Sequence, residues 1–336
     1  MKPFLNSLSR SGFWLKKASI GTLLVSAITL SYGINNTWAQ DKHLVFYEVS
    51  HGWLGHPFWA VVDRGMKDAA KTYGVDLVIL HGNAPANSAQ QSEKIERALA
   101  ASPDGLIVSL PDAKGVESSL ARATAKGIPI IAMNVADTRP PAQRIPYITY
   151  VGSDEYLSGA KAAEELVKDP KVTVGLCVNT NAGQSALVAK CKGFTDVFQK
   201  AGKKASTIVV SPDSPTQAAE QFRAYYMANS DANGLFVVDA VYTLNIVKVL
   251  KEMGDLSKIS IYTNDLLPEV LDDIQSGQIT GTIDQQPYAQ GYLAVELLYF
   301  YKTYGIKLAS DVLTGPAIVD KTNAAITKDM VAKGYR

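Results

Sequence analysis

Short apolar, β-branched runs alternate with helical patterns from residue 42 onward, and this alternation restricts the folds open to the chain. One series of predicted strands covers 43–49, 75–80, 105–110, 129–133 and 148–152, and a second covers 172–178, 207–211, 234–238, 259–262 and 279–284. Predicted helices cover 57–73, 89–101, 115–126, 185–201, 216–227, 242–253, 268–277 and 288–304. The units repeat about every 25–30 residues, as strand–helix–strand crossovers of a parallel sheet do. We therefore predict an α/β fold with two doubly wound parallel-sheet lobes.

The first forty residues have the pattern of an export signal. Arg10, Lys16 and Lys17 precede an uncharged, mostly apolar run at 18–32, and Ala39 ends a small-x-small cleavage site. The apolar run is short for a membrane span, which needs roughly 20 residues. We predict a signal peptide at 1–39, cleaved after Ala39, and a periplasmic mature protein. An uncleaved anchor is the alternative.

Charge and motif content exclude several classes of partner and cofactor. The 336 residues carry a net charge of +1, which gives no electrostatic case for nucleic acid or a membrane surface. The chain has no GxGxxG after a strand and no GxxxxGK[ST], so no motif supports nucleotide binding. We expect no cofactor and no metal.

Cys177 and Cys191 are the only cysteines of the chain. In an oxidising compartment an even pair predicts a disulfide. Cys177 lies in a predicted strand and Cys191 in the helix that follows it, so a local bridge is expected. Two buried thiols are the alternative.

Polar and aromatic side chains follow the predicted strands at the edge where open α/β sheets bind ligands. The candidate ligand-binding residues are His56, Phe58, Trp59, Asp112, Asn134, Asn181, Asp239, Asp265 and Gln285. Aromatic faces stack on the C–H patches of a sugar ring, and carboxylates and amides bind its hydroxyls. An anionic ligand would call for Arg or Lys at these positions, whereas two Asp and the aromatics also suit a cation. For Asp112, capping of the following helix is the competing interpretation.

Catalytic patterns are weak in comparison. No G-x-S-x-G occurs, and the four histidines lack the residues of a triad or metal site. Asp239 and Asp265 could face each other as the carboxylates of a glycosidase do, but nothing in sequence marks either as an acid. We predict that the protein is not an enzyme.

Six short motifs occur in a specific order and spacing. They are HPFW at 56–59, GIPIIAMN at 127–134, YVGSDEYLSG at 150–159, KGF at 192–194, NDLLPEV at 264–270 and IDQQPYAQG at 283–291. Through them the chain, over about 42–323, resembles the periplasmic sugar-binding proteins of ABC transporters, the type I class that includes the ribose- and galactose-binding proteins.

The resemblance assigns roles to most of the candidate residues. His56 replaces a ligand-binding Asn, and Phe58 and Trp59 match ring-stacking aromatics. Asn134 replaces the Asp of an Asp-Arg pair, and Asp239 replaces a hydrogen-bonding Asn. Asp265 and Gln285 match a ligand Asp and a ligand Gln. Val135 and Val188 stand where the family has two arginines. Their loss argues against ribose, so a different monosaccharide or a sugar alcohol is expected.

The resemblance also implies an architecture and partners. Two lobes are expected, a first of 40–153 plus 286–312 and a second of 154–285 plus 313–336. Three crossovers would join them, near 152–155, 285–287 and 310–315. A monomer that delivers its ligand to an ABC permease is expected. A sensory receptor of the same fold and a binder of nucleosides or amines are the alternatives. A repressor is disfavoured, because an apolar run stands where its DNA-binding domain would precede the first strand.

Overall fold

A computed structural model describes residues 43–83, 87–229 and 231–336 of the chain, and the predicted signal peptide lies outside them. The described residues contain two six-stranded sheets, which confirms the predicted α/β fold with two lobes. Among these residues no helix has both the length and the apolar character needed to cross a membrane.

The first lobe is built on a sheet with strand order β11-β5-β4-β3-β1-β2. Its strands are β1 (Val45–Val49), β2 (Asp76–Ile79), β3 (Gly105–Val108), β4 (Ile130–Met133), β5 (Tyr150–Ser153) and β11 (Val312–Gly315). Helices α1 (Pro57–Tyr73), α2 (Ser88–Ala100), α3 (Ala113–Ala125) and α9 (Pro287–Tyr304) belong to this lobe. All strand pairs in this sheet are parallel. β3 and β4 are buried at every position because helices cover both faces.

The second lobe repeats this plan with strand order β12-β10-β9-β8-β6-β7. Its strands are β6 (Val174–Asn179), β7 (Lys204–Val209), β8 (Gly234–Val237), β9 (Ser260–Asn264), β10 (Gly281–Asp284) and β12 (Ala317–Asp320). Its helices are α4 (Glu155–Val167), α5 (Ser185–Lys200), α6 (Pro215–Ala228), α7 (Ala240–Met253), α8 (Pro268–Ser276) and α10 (Ala324–Ala332). Only β12 runs antiparallel to its neighbour among the described pairs of this sheet. Helices α4 and α10 were not among the predicted elements.

Local sequence explains where several helices begin. Pro57 occupies the first turn of α1, where its missing N–H costs no hydrogen bond. Asn87 precedes α2 and forms a capping box with Gln90, in which each side chain accepts from the other residue's backbone N–H. Such caps satisfy the backbone groups that a helix leaves free at its start.

Glycines allow one pair of helices to approach closely in each lobe. A Cβ on Gly65 of α1 would overlap the backbone oxygen of Tyr288 in α9, and a Cβ on Gly159 of α4 would overlap that of Lys190 in α5. Gly193 of the KGF motif meets the backbone of α4 in the same way. These three glycines therefore serve helix packing in both lobes.

Three crossovers connect the lobes, and they meet at one point. The chain crosses between Ser153 and Asp154, again around Gln285, and again at Pro316. A Cβ on Gly315 would contact the Asp284 oxygen at 2.9 Å and the Ser153 hydroxyl at 3.0 Å, so the crossovers leave no room for a side chain there.

The third crossover follows the end of β11. Leu313 and Gly315 still pair with β5 of the first sheet, so β11 belongs to the first lobe up to that residue. Thr314 then donates its hydroxyl to the Gln285 carbonyl at 2.8 Å, which links the second and third crossovers.

A disulfide joins Cys177 in β6 to Cys191 in α5, which confirms the predicted bridge. Both residues lie in an apolar cluster with Phe194, Phe198 and Phe236. The bridge therefore fixes the helix against the buried face of its own strand.

Candidate ligand-binding site

A cavity of about 690 Å³, including space open to solvent, lies between the lobes at the carboxyl ends of the strands. Its lining includes eight of the nine predicted residues: His56, Phe58, Trp59, Asn134, Asn181, Asp239, Asp265 and Gln285. The lobes also touch beside it, since the Ser185 N–H of the second lobe donates to the Pro111 carbonyl of the first at 3.1 Å. The cleft is thus narrow in this structure.

Aromatic rings from the first lobe form one wall of the cavity. Trp53 meets the His56 ring edge-on with 4.3 Å between centroids, and Phe58 meets Trp59 in the same way at 5.4 Å. Phe58 and Trp59 lie in the first turn of α1 and are largely buried, so their positions are fixed by packing. Such a wall suits the apolar face of a small ring.

His51 lines the cavity next to this wall. Its Nδ1 lies 2.8 Å from the Ser109 hydroxyl, and its ring meets Trp59 edge-on at 5.1 Å. Burial lowers the pKa of His51 to about 3, so the ring is neutral at physiological pH. His51 therefore adds no charge to the cavity.

His56 and Asp239 face each other across the cleft. The His56 Nε2 lies 3.8 Å from the Asp239 Oδ2, and only 11% and 19% of the two side chains are exposed. Asp239 is anchored at the start of α7, where its Oδ1 accepts from the Val241 N–H at 2.7 Å. A ligand between the lobes would meet both side chains.

Asp265 and Gln285 form a hydrogen-bonded pair at the ends of β9 and β10. The Gln285 Nε2 donates to the Asp265 Oδ1 at 2.5 Å, and the Asn264 amide donates to the same oxygen at 2.9 Å. Burial raises the pKa of Asp265 to about 6, with a further contribution from Asp239, while Lys190 opposes the shift. Gln285 is 4% exposed, and its Oε1 has no hydrogen-bond partner among the described residues.

Asn134 and Asn181 are held by local hydrogen bonds. The Asn134 side chain donates to the Gln290 Oε1 at 3.2 Å, and its backbone adopts a positive φ of 65°. The Asn181 Oδ1 accepts from the Gly183 N–H at 2.9 Å, which leaves its amide hydrogens for other partners. These residues position polar groups at the cavity from opposite lobes.

A buried ion pair in the second lobe was not predicted from sequence. The Lys190 Nζ lies 2.6 Å from the Glu155 Oε2, both residues line the cavity, and Lys190 is 4% exposed. Burial raises the pKa of Glu155, while Lys190 lowers it. A signal existed, because Lys190 is a cation on the apolar face of α5, four residues from both Ala186 and Phe194.

The family model described as periplasmic binding protein domain matches residues 47–305. The chain belongs to this family.

Its similarity to individual members of the periplasmic binding protein family is moderate. The xylose/arabinose-binding protein of Sulfolobus acidocaldarius is 25% identical over 288 residues, which are 82% of this chain and 69% of that protein. The D-allose-binding periplasmic protein of Escherichia coli is 22% identical over 256 residues, 73% of this chain and 80% of that one. A carbohydrate transporter from Acidothermus cellulolyticus, solved with myo-inositol, has a TM-score of 0.80 at 28% identity and covers 88% of this chain and 100% of its own.

Asp112 is the one predicted residue that the structure does not bring to this cavity. It caps α3, with its Oδ1 accepting from the Gly115 N–H at 3.1 Å, and its Oδ2 accepts from the Ser88 hydroxyl at 2.6 Å. Its carboxylate lines a neighbouring cavity of the cleft, as does the exposed Val188. The position that matches the second arginine of the resembled proteins therefore lies outside the main cavity, whereas Lys190 lies within it.

No group of His, Cys, Asp and Glu side chains within the described ranges is arranged to hold a metal ion. The polar side chains of the cavity instead suit an organic ligand with several hydroxyls.

Proposed function

We propose that this protein is the substrate-binding protein of an ABC importer and binds a monosaccharide or sugar alcohol between its lobes. The observation that carries the proposal is the Asp265–Gln285 pair beside an aromatic wall. The pair presents carboxylate and amide oxygens on one side of the cavity. The aromatic rings on the other side accommodate the C–H face of a ligand. Sugar rings and inositols combine a C–H face with hydroxyls that donate to such oxygens.

The unpaired Oε1 of Gln285 points to the same ligand class. A buried acceptor without a partner costs about 1–3 kcal/mol, and a ligand hydroxyl that donates to it removes this cost. A ligand that lacks this hydroxyl would leave the cost in place, so the site would discriminate among stereoisomers.

The charges at the cavity disfavour an acidic ligand. Asp239, Asp265 and Glu155 supply three carboxylates, whereas Lys190 is the one lysine of the lining and is paired with Glu155. The relatives named for xylose and arabinose, for D-allose and with bound myo-inositol support an uncharged polyhydroxyl ligand. We expect binding without chemical conversion of the ligand.

Binding would work through closure of the lobes. A ligand that contacts His56 of the first lobe and Asp239 and Asp265 of the second has its full set of contacts only when the lobes are close. Its differential affinity then shifts the population to the closed form, which a permease would recognise. We also propose that the protein is exported to the periplasm, that residues 1–39 are removed, and that the mature protein is a monomer.

A thermal-shift screen of residues 40–336 against pentoses, hexoses, polyols, nucleosides and amines tests the proposal. A ligand at a hundredfold excess over its Kd stabilises the folded state by about 2.7 kcal/mol. Stabilisation by one sugar or polyol, with the stoichiometry then measured by calorimetry, is the expected result. Stabilisation only by amines or nucleosides would contradict the proposed ligand class. Mass spectrometry of the denatured protein identifies a ligand that copurifies.

A further inference from the structure

The residues after α10 leave the second lobe and contact the first. The Arg64 Nη1, on α1, donates to the Lys333 carbonyl at 2.5 Å, and its guanidinium lies 4.8 Å from the centroid of the Tyr335 ring. The Gly334 backbone has a φ of 74°, and a Cβ there would overlap the Arg64 guanidinium. Arg64 therefore holds this segment through hydrogen-bond, cation–π and close packing contacts at once.

A second side chain of the first lobe holds the same tyrosine. Tyr288, in the first turns of α9, meets Tyr335 edge-on with 5.1 Å between ring centroids. The Tyr288 hydroxyl donates to the Asp68 Oδ2 at 3.0 Å, and Asp68 also lies 4.0 Å from the Arg64 Nε. Arg64, Asp68, Tyr288 and Tyr335 thus form a closed ring of contacts between the two lobes.

The segment is also tied to a crossover. The Arg336 Nη1 lies 2.7 Å from the Asp284 Oδ2, and the Asp284 side chain is fully buried at the end of β10. Arg336 further lines a small cavity with Phe58 and Asp265, which are residues of the main cavity as well. The segment therefore lies on the flank of the ligand cavity, next to the crossovers.

We propose that residues 333–336, which we call the latch, stabilise the closed arrangement of the lobes and so raise ligand affinity without touching the ligand. The latch contacts join helices α1 and α9 of the first lobe to a segment that follows a helix of the second. Movement of the lobes about the crossovers separates these partners, so the contacts contribute only to the closed form. Contacts that stabilise only the form that binds the ligand raise the population of that form, and so they increase the apparent affinity for the ligand.

The inference rests on the proposed function, and a double-mutant cycle with Arg64→Ala and Tyr335→Ala tests it. Each single variant should raise the Kd for the ligand found in the screen by about three- to tenfold, because both contacts are partly exposed. The double variant should lose less affinity than the sum of the two single losses, since both substitutions remove the Arg64–Tyr335 contact that they share. Lys67→Ala is the matched control, an exposed cation on the same helix whose loss should leave the Kd unchanged.

Small-angle X-ray scattering of the ligand-free protein gives a readout that a simple loss of stability would not change. The radius of gyration of the folded Arg64→Ala variant should exceed that of the wild type. If the wild type binds a sugar or polyol and each single variant has a Kd within twofold of the wild-type value, the latch is refuted and the proposed function stands. A wild type that binds no sugar or polyol would overturn the proposed function. The scattering comparison would then decide the latch alone, with equal radii refuting it.

Discussion

The Gln285 side chain donates its amide hydrogen to the Asp265 carboxylate, with 2.5 Å between Nε2 and Oδ1. The two residues follow the ends of neighbouring parallel strands, in which Ile283 pairs with Asn264. This bond orients the Gln285 amide, whose Oε1 has no hydrogen-bond partner among the described residues. The pair also joins the second lobe to the second crossover, so under the proposed function a ligand bound to it would contact both.

Substitution of Asp265 should weaken sugar binding strongly. Asp265→Ala removes a charged acceptor and the partner of the Gln285 amide, so we expect a loss of at least about 1.5–3 kcal/mol in binding free energy by calorimetry. Asp112→Ala is the matched control, because Asp112 caps α3 outside the cavity. That variant should keep its affinity and lose about 1 kcal/mol of unfolding free energy. Normal binding by Asp265→Ala would contradict the assigned site.

Binding should weaken as the pH falls through the pKa of Asp265, which burial raises to about 6. If only the ionised form binds, its population drops about tenfold from pH 7 to pH 5, and the Kd should rise by the same factor. Asp239, His56 and Lys190 also act on this carboxylate, so Asp265→Asn is the control that isolates it. An unchanged wild-type Kd between these two pH values would refute the prediction.

The same pKa shift should affect the stability of the ligand-free protein in the opposite direction. A carboxyl with a raised native pKa binds more protons in the folded than in the unfolded state. Its contribution therefore makes the unfolding free energy decrease as the pH rises from 3.8 to about 6. Urea unfolding at pH 4, 5 and 7 should show a smaller decrease for Asp265→Asn than for the wild type.

Gly159→Ala should destabilise the protein, although alanine in place of glycine usually favours a helix by about 1 kcal/mol. The added Cβ overlaps the Lys190 backbone, so α4 and α5 must separate, and overpacking of this kind costs about 1–3 kcal/mol. Denaturant unfolding measures the change. A gain in stability for Gly159→Ala would refute the close helix contact.

Loss of one partner of the Lys190–Glu155 pair should cost more than loss of both. Lys190→Met leaves the Glu155 carboxylate without its cation in a buried site, which costs about 3–5 kcal/mol for a charge that stays ionised. The raised pKa of Glu155 permits its protonation, so the loss should be smaller at pH 5 than at pH 8. At pH 8 the double variant Lys190→Met/Glu155→Gln should have a higher unfolding free energy than Lys190→Met alone. Lys192→Met, at an exposed lysine of the same helix, is the control.

Reduction of the disulfide should destabilise the second lobe. Cys177 and Cys191 are 14 residues apart, and closure of a loop of that size restricts the unfolded chain by about 3 kcal/mol. The Cys177→Ala/Cys191→Ala variant should therefore unfold at lower urea concentration than the oxidised wild type. Reductant should lower the midpoint of the wild type and leave that of the variant unchanged.

Sequence patterns determined most of the elements and their approximate ends because these depend on local chemistry, although α4 and α10 were not predicted. Helix α1 has the predicted bounds 57–73, set by Pro57 at its start and by Gly74 in the left-handed conformation after its end. Short, strongly apolar runs are typical of strands that helices cover on both faces, and β3 and β4 are buried at every residue. Hydrophobic periodicity and helix caps act over a few residues, so they can be read without the fold.

Eight of the nine residues predicted from sequence line the cavity, but only the tertiary structure showed that Asp112 lies outside it and Lys190 within it. Asp112 and Asp239 both follow strands and both cap helices, yet only Asp239 faces His56 across the cleft. Lys190 reaches the cavity from within a helix, and the Cys177–Cys191 bridge and the Gly159 contact fix its position there. These placements depend on how two lobes and three crossovers pack together. Such long-range contacts leave no periodic trace in the sequence, because the residues that make them are far apart in the chain.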